Sequence, residues 1–306
     1  MTIKGDFSFK GHFSLLIGYI IFGLSAPIGK SVMTYGGIDP LSLTYFRMAG
    51  AAVLFWFASL FATREKVAKR DLLLLLGAAL FGVTINQMCY IAGLSKTSPV
   101  DASLIATLGP IITMLVAAIY LKEPITFKKI LGVLVGAAGV LLLILTGVQI
   151  LNGERHLLGN LLCLVSSLSF AVYLTVFRDV VRRYSSITVM KWMFLYAAAI
   201  CTPICFRNVS AIDYFSLSAT TWWKVAFVVG CATFISYMLL PIGQKTLRPT
   251  IVSMYNYIQP IVSSGVAIAM GLDTIGWSKG YAALLVFLGV YIVTHSTSRA
   301  QVDAKK

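Results

Sequence analysis

The sequence predicts an all-α polytopic membrane protein of ten transmembrane helices, arranged as two inverted five-helix repeats around a central cavity. Three observations predict it. Of 306 residues, 58% are hydrophobic and only 12% charged, with a mean hydropathy of +0.86, well outside the range of soluble domains. Apolar runs of about 20 residues, enough to cross the hydrocarbon at about 1.5 Å of rise per residue, recur along the whole chain. The second half also repeats the motifs of the first at a fixed spacing.

The ten spans follow in order. Helix one, 13–33, contains Lys30 close to its end; it is as long as the later spans and has no small-residue cleavage site behind a short core, so it reads as its own insertion signal. Helix two, 41–61, holds Arg47, one of two cations that fall clearly within a span rather than near its end. Helix three, 72–93, opens on LLLLLGAALFGV, and helix four, 100–121, closes on YLKEPI, where Pro124 separates it from helix five, 127–147. Helix six covers 157–177, helix seven 187–206 with Lys191 as the second cation, helix eight 222–243, helix nine 250–271 and helix ten 277–296. Runs such as LGVLVGAAGVLLLIL are continuous and rich in Gly and Ala, as packed membrane helices are, whereas a β-barrel would show alternating segments of about ten residues. The longest connection, 208–221, is expected to form no more than an interfacial turn, and its Asn208-Val209-Ser210 matches a glycosylation acceptor.

A net charge of +14 could suggest a nucleic-acid partner, but its placement points to topology instead. With a cytoplasmic N-terminus, 17 Lys and Arg fall in inner segments and 6 at outer ends, the bias that orients membrane proteins. Both termini are therefore expected in the cytoplasm, with the chain spanning the cell (inner) membrane. The five cysteines, Cys89, Cys163, Cys201, Cys205 and Cys231, all lie within spans as small apolar residues, and no disulfide is expected.

The repeat emerges when SPVDASLIATLGPIITMLVAAIYLKEPI is set against RPTIVSMYNYIQPIVSSGVAIAMGLDTI at a spacing of 150. Pro99 then meets Pro249, Ser103 Ser253, Pro110 Pro260, Lys129 Lys279 and Gly139 Gly289, while Glu123 meets Asp273. The register continues back to Met88 on Met238 and Gly93 on Gly243. The halves are 1–148 and 149–306. An odd number of helices per copy turns the second upside down relative to the first, a frequent device of secondary transporters, since exchanging the conformations of the halves opens a cavity to alternate sides.

These residues resemble the drug/metabolite transporter superfamily, in its ten-helix EamA-type branch with two five-helix repeats. The resemblance is carried by FGLSAPIGK (Phe22 to Lys30), its relative FAVYLTVFR (Phe170 to Arg178), FRMAGAA around Arg47, PVDASLIATLGP and YLKEPI. It covers nearly the whole chain. Phe22 stands where the family commonly has Trp, and Asp273 where Glu is usual. The resemblance implies a transporter whose helices one, three, four, six, eight and nine line the cavity, with family precedent leaning toward export.

Polar groups inside a bilayer are costly and turn toward the bundle interior. By that reasoning the candidate substrate-binding residues are Ser25 and Lys30 in helix one, Arg47 in helix two, Asn86 and Tyr90 in helix three, and Thr107 in helix four. Ser169 and Tyr173 in helix six, Ser236 in helix eight, and Asn256 and Tyr257 in helix nine complete the set. The competing reading is close packing of small residues. For Arg47 the alternatives are snorkelling to helix-end carbonyls or to Asp39, and anchoring a substrate carboxylate. Pro27, Pro110 and Pro260 each free a carbonyl and permit a kink.

No catalytic constellation, metal site or cofactor motif is legible: there is no HExxH, no GxSxG and no paired intramembrane Asp. The acids and histidines fall at or near helix ends, which favours facilitated diffusion or exchange over proton coupling. Glu123 and Asp273 read as charges at the start of the following helix. The expected function is secondary transport of a small organic metabolite, amino acids or related compounds first. The alternatives are another substrate class of the superfamily (nucleotide sugar, amine or drug), a lipid scramblase or a membrane assembly subunit. The expected partners are a small-molecule substrate and the bilayer, not nucleic acid; nothing in the sequence supports a homodimer.

Overall fold

The computed structural model describes residues 9–120, 127–150, 153–246, 255, 258–272 and 276–294. Among them the long elements are all helices and there is no strand. In chain order they are α1 (Phe9–Tyr35), α2 (Pro40–Ser59), α3 (Lys69–Lys96), α4 (Pro99–Tyr120), α5 (Phe127–Ile150), α6 (Gly153–Val176) and α7 (Ser186–Ser210). Three consecutive pieces, Ala219–Ala226, a π-helical segment Phe227–Ile235 and Ser236–Thr246, make α8; α9 is Ile258–Ala269 and α10 Trp277–Thr294. Among the described residues seven helices are long and apolar enough to cross a membrane, with shorter apolar stretches in α5 and α9. Their outer faces carry large apolar side chains such as Phe57, Leu73, Ile119, Leu134, Leu161 and Leu284. This is a multi-pass membrane protein.

Helix starts follow from local chemistry. Asp39, Ser98, Ser185 and Ser218 are N-caps of α2, α4, α7 and α8, each accepting backbone N–H groups from the first turn, and Pro40 and Pro99 occupy first-turn positions where a missing N–H costs nothing. Of the three expected kinks, Pro110 has the clearest effect. It cannot donate to the carbonyl of Ala106, and α4 is interrupted between Ala106 and Gly109, with Leu108 N bonded to Ile105 O instead. α1 runs helically through Pro27.

Residues 208–221 differ from the expected turn. α7 continues to Ser210 and α8 begins at Ala219, because Asn208 donates to the capping carboxylate of Asp39 and Tyr214 Oη donates to Val209 O. Asn208 therefore lies in a helix, bonded to another helix end.

Polar contacts collect at two ends of the bundle. At the end where α1 begins, Asp71 pairs with Arg183 at 2.9 Å and accepts from Tyr184, Glu65 accepts from Ser185, and His12 bonds Tyr255. At the opposite end, Lys30, Asp39 and Asn208, Ser31 and Lys224, and the Asp101–Lys279 pair at 3.7 Å tie helix termini together.

The two halves pack by exchange. α1 lies against α8 and, equivalently, α6 against α3; α1 also meets α9 as α6 meets α4. In the α5–α10 crossing Gly139 sits against Val286 and Gly289 against Gly136, and adding 150 to 139 and 136 gives 289 and 286. Both halves also carry a π segment at matching places, Leu80–Ile85 in α3 and Phe227–Ile235 in α8. A pseudo-twofold therefore relates them.

Candidate functional site

The π segments shape the middle of α3 and α8. A π turn widens the helix and leaves carbonyls without their usual α-helical donors. Hydroxyls take up the slack: Ser169 of α6 donates to Phe81 O at 2.6 Å, and within α8 Thr233 Oγ1 donates to Val228 O and Ser236 Oγ to Cys231 O, each five residues back. Tyr173 packs its ring on Gly82, where a Cβ would come within 2.6 Å of the ring.

Directly beyond the α3 π segment, Asn86 and Gln87 start a chain of hydrogen bonds whose direction is fixed. Asn86 Nδ2 donates to Ser166 O and Oγ, both at 2.9 Å. Because a backbone carbonyl can only accept, the amide orientation of Asn86 follows, and its Oδ1 accepts from Gln87 Nε2 at 3.0 Å. The same Gln87 nitrogen donates to Tyr237 Oη at 3.1 Å. Gln87 and Tyr237 are 150 residues apart, so Gln87 touches its own repeat mate. A contact between mates lies on the pseudo-twofold, and inversion exchanges the bundle ends, so this contact is at mid-depth.

Arg47, the eighth residue of α2, is 3% exposed and turned inward. Its Nε donates to Thr233 Oγ1 at 2.9 Å, and Tyr90 and Tyr237 lie within electrostatic reach of its charge. Snorkelling does not occur, and pairing with Asp39 is replaced: that carboxylate caps α2 and binds Asn208. Among the described residues Arg47 has no ion pair.

The remaining candidates divide. Asn86 belongs to the hydrogen-bond chain, Tyr90 lies near Arg47, Ser169 and Tyr173 of α6 meet the α3 π segment at Phe81 and Gly82, and Ser236 bonds Cys231 O within α8. Lys30 stands apart, its ammonium donating to the carbonyls of Leu94, Ser95 and Thr97 at 2.8–3.0 Å, the C-terminus of α3. Ser25 and Thr107 bond carbonyls three residues back, at Phe22 and Leu104. Asn256 and Tyr257 lie outside the described residues, as do Glu123 and Asp273. Sequence reasoning missed Gln87, Thr233 and Tyr237; the repeat register, which pairs 87 with 237, was the available signal.

A helical membrane bundle of two pseudo-symmetric halves, with a polar network on the axis between them, defines the class of inverted-repeat membrane transporters. The chain belongs to the EamA-like transporter family, whose model matches residues 9–145 and 157–295. It is 23% identical over 279 residues to the uncharacterized transporter YyaM of Bacillus subtilis, covering 90% of this chain and 91% of that protein. It is likewise 23% identical to the WAT1-related protein At3g56620 of Arabidopsis thaliana, over 94% of this chain and 83% of the relative. A crystal structure 20% identical in sequence shares the fold, with a TM-score of 0.61 over 92% of this chain and 97% of that one.

Proposed function

We propose that the protein is a secondary transporter of small organic metabolites, amino acids or related compounds first, working by alternating access in the export direction. It has no enzymatic activity in this reading. It sits in the cell (inner) membrane with both termini cytoplasmic, and its halves, 1–148 and 149–306, move relative to each other. The observation that carries this is the Gln87–Tyr237 hydrogen bond between repeat mates, which puts unlike polar groups at the pivot of the two halves. Asn86, Tyr90, Ser169, Tyr173, Ser236 and Arg47 form the substrate site in this reading, together with Asn256 and Tyr257, which precede α9 in the chain. Lys30, Ser25 and Thr107 support helix ends and turns around it.

Relatives carry the name transporter, which supports transport over catalysis. A scramblase or assembly subunit would need no polar centre of this kind. The test is a ligand screen by thermal shift on the purified protein, amino acids and amines first, followed by counterflow of each hit in proteoliposomes. Saturable counterflow is expected; stabilising ligands that never exchange across the bilayer would sink the transport reading.

A further inference from the structure

Arg47 poses a problem of charge. A guanidinium has five N–H donors, and a cation held away from water is costly unless it is paired. Among the described residues only Nε has a protein acceptor, the hydroxyl of Thr233, and no carboxylate pairs with the guanidinium. The acids nearest along the chain are committed at helix ends: Asp39 caps α2, and Asp71 is bonded to Arg183 and Tyr184.

The neighbouring hydrogen-bond chain leaves two further valences open. Tyr237 Oη accepts from Gln87, so its own proton is available to another acceptor. Gln87, 7% exposed, spends its amide hydrogens on Asn86 and Tyr237, while its Oε1 is buried and accepts nothing among the described residues. Flipping this amide is not an escape, since Asn86 is locked by the Ser166 carbonyl and requires a donor from Gln87. Thr84, three residues before Gln87 on α3, has a buried hydroxyl oxygen in the same condition.

The centre therefore presents unspent donors with a net positive charge beside one unspent amide acceptor. We propose that Arg47 and the Tyr237 hydroxyl bind the carboxylate of the transported substrate, and that Gln87 Oε1 accepts a hydrogen bond from an N–H or O–H next to that carboxylate. The substrate class is an α-amino or α-hydroxy carboxylate. This rests on the transporter reading and narrows it: amines, which would meet Arg47 as a like charge, and neutral drugs, which would leave it unpaired, are excluded.

The test compares four probe sets with matched side chains against the full chain in detergent: L-α-amino acids, 2-hydroxy acids, amino-acid amides, and the amines left by decarboxylation. Binding is read as thermal shift against concentration. The carboxylates should bind at least about tenfold more tightly than the amides and amines, the equivalent of one charge-assisted hydrogen bond. Arg47→Gln should abolish the shift, Arg47→Lys retain part of it, and Tyr237→Phe weaken it about tenfold. Should Arg47→Gln fail to fold, Tyr237→Phe and the probe comparison on the unmodified protein decide the matter. The proposal is overturned if amides or amines bind as well as carboxylates, if none of the four sets binds, or if folded Arg47→Gln binds as the parent does. Counterflow of a nucleotide sugar or a drug by a protein indifferent to carboxylates would overturn it while leaving the transporter reading intact. Absence of counterflow with every class would remove that reading as well.

Discussion

Asn86 joins two helices through its side chain alone, donating twice to Ser166 and accepting from Gln87. Asn86→Ala should lower the initial rate of counterflow about tenfold with membrane expression unchanged; an unaltered rate would remove Asn86 from the site. Lys30 predicts the reverse phenotype. Lys30→Met leaves three carbonyls at the end of α3 without their donor and should cost about 2 kcal/mol, seen as a lower unfolding temperature, with Lys30→Arg milder. Asn86 was legible in the sequence because it sits with Ala79, Gly82, Tyr90 and Gly93 on a small and polar stripe at three- and four-residue steps. Gln87, one position on, falls off that stripe, and no helical periodicity of its own helix could single it out. What selects it is a partner 150 residues away, which a face-by-face reading does not consult. Arg47 was legible as an anomaly, yet its direction was not: whether a long side chain turns to the interface or inward depends on Thr233 of another helix.

Elements were more legible than residues, since length and apolarity define a membrane helix almost alone. The exceptions are instructive. α7 overran its expected end at 206 to reach Ser210, because its last turn is held by a neighbour's cap rather than by hydropathy. The π segments in α3 and α8 have no hydropathic signature, as inserting a residue into a uniformly apolar run leaves the run apolar. Glycines separate close crossings from open ones. At Gly289 a Cβ would lie 2.5 Å from Gly136 N and 2.6 Å from Gly132 O, both backbone atoms that cannot step aside, whereas at Gly230 it would meet nothing within 4 Å. Gly289→Ala should therefore destabilise by about 1–3 kcal/mol, and Gly230→Ala should unfold close to the parent temperature. Thermal unfolding of the two variants side by side checks this, and equal losses would contradict the crossing geometry.

For the whole molecule the 17-to-6 division of Lys and Arg predicts orientation. Reporters fused to either terminus should both be active in the cytoplasm, and a reporter that works only outside would reverse the assignment. Coupling belongs to the same scale. The described carboxylates whose contacts are known, Asp39, Glu65, Asp71, Asp101 and Asp213, lie at helix ends or in connections, and His12 bonds Tyr255 where α1 begins. A pH gradient alone should not drive uphill uptake into proteoliposomes, although downhill flux and counterflow proceed; accumulation against a gradient would require a proton carrier in the chain.

The hydrogen bond on the pseudo-twofold bears on how such a bundle shares its time between its two faces. Two identical residues meeting there would look the same after the halves traded shapes, and that contact could not tell one state from the other. Gln87 and Tyr237 are unlike: in this arrangement the amide gives and the phenol receives. If the halves trade shapes as proposed, this contact takes a different arrangement in each state, and an empty protein resting mainly on one side is the expected outcome.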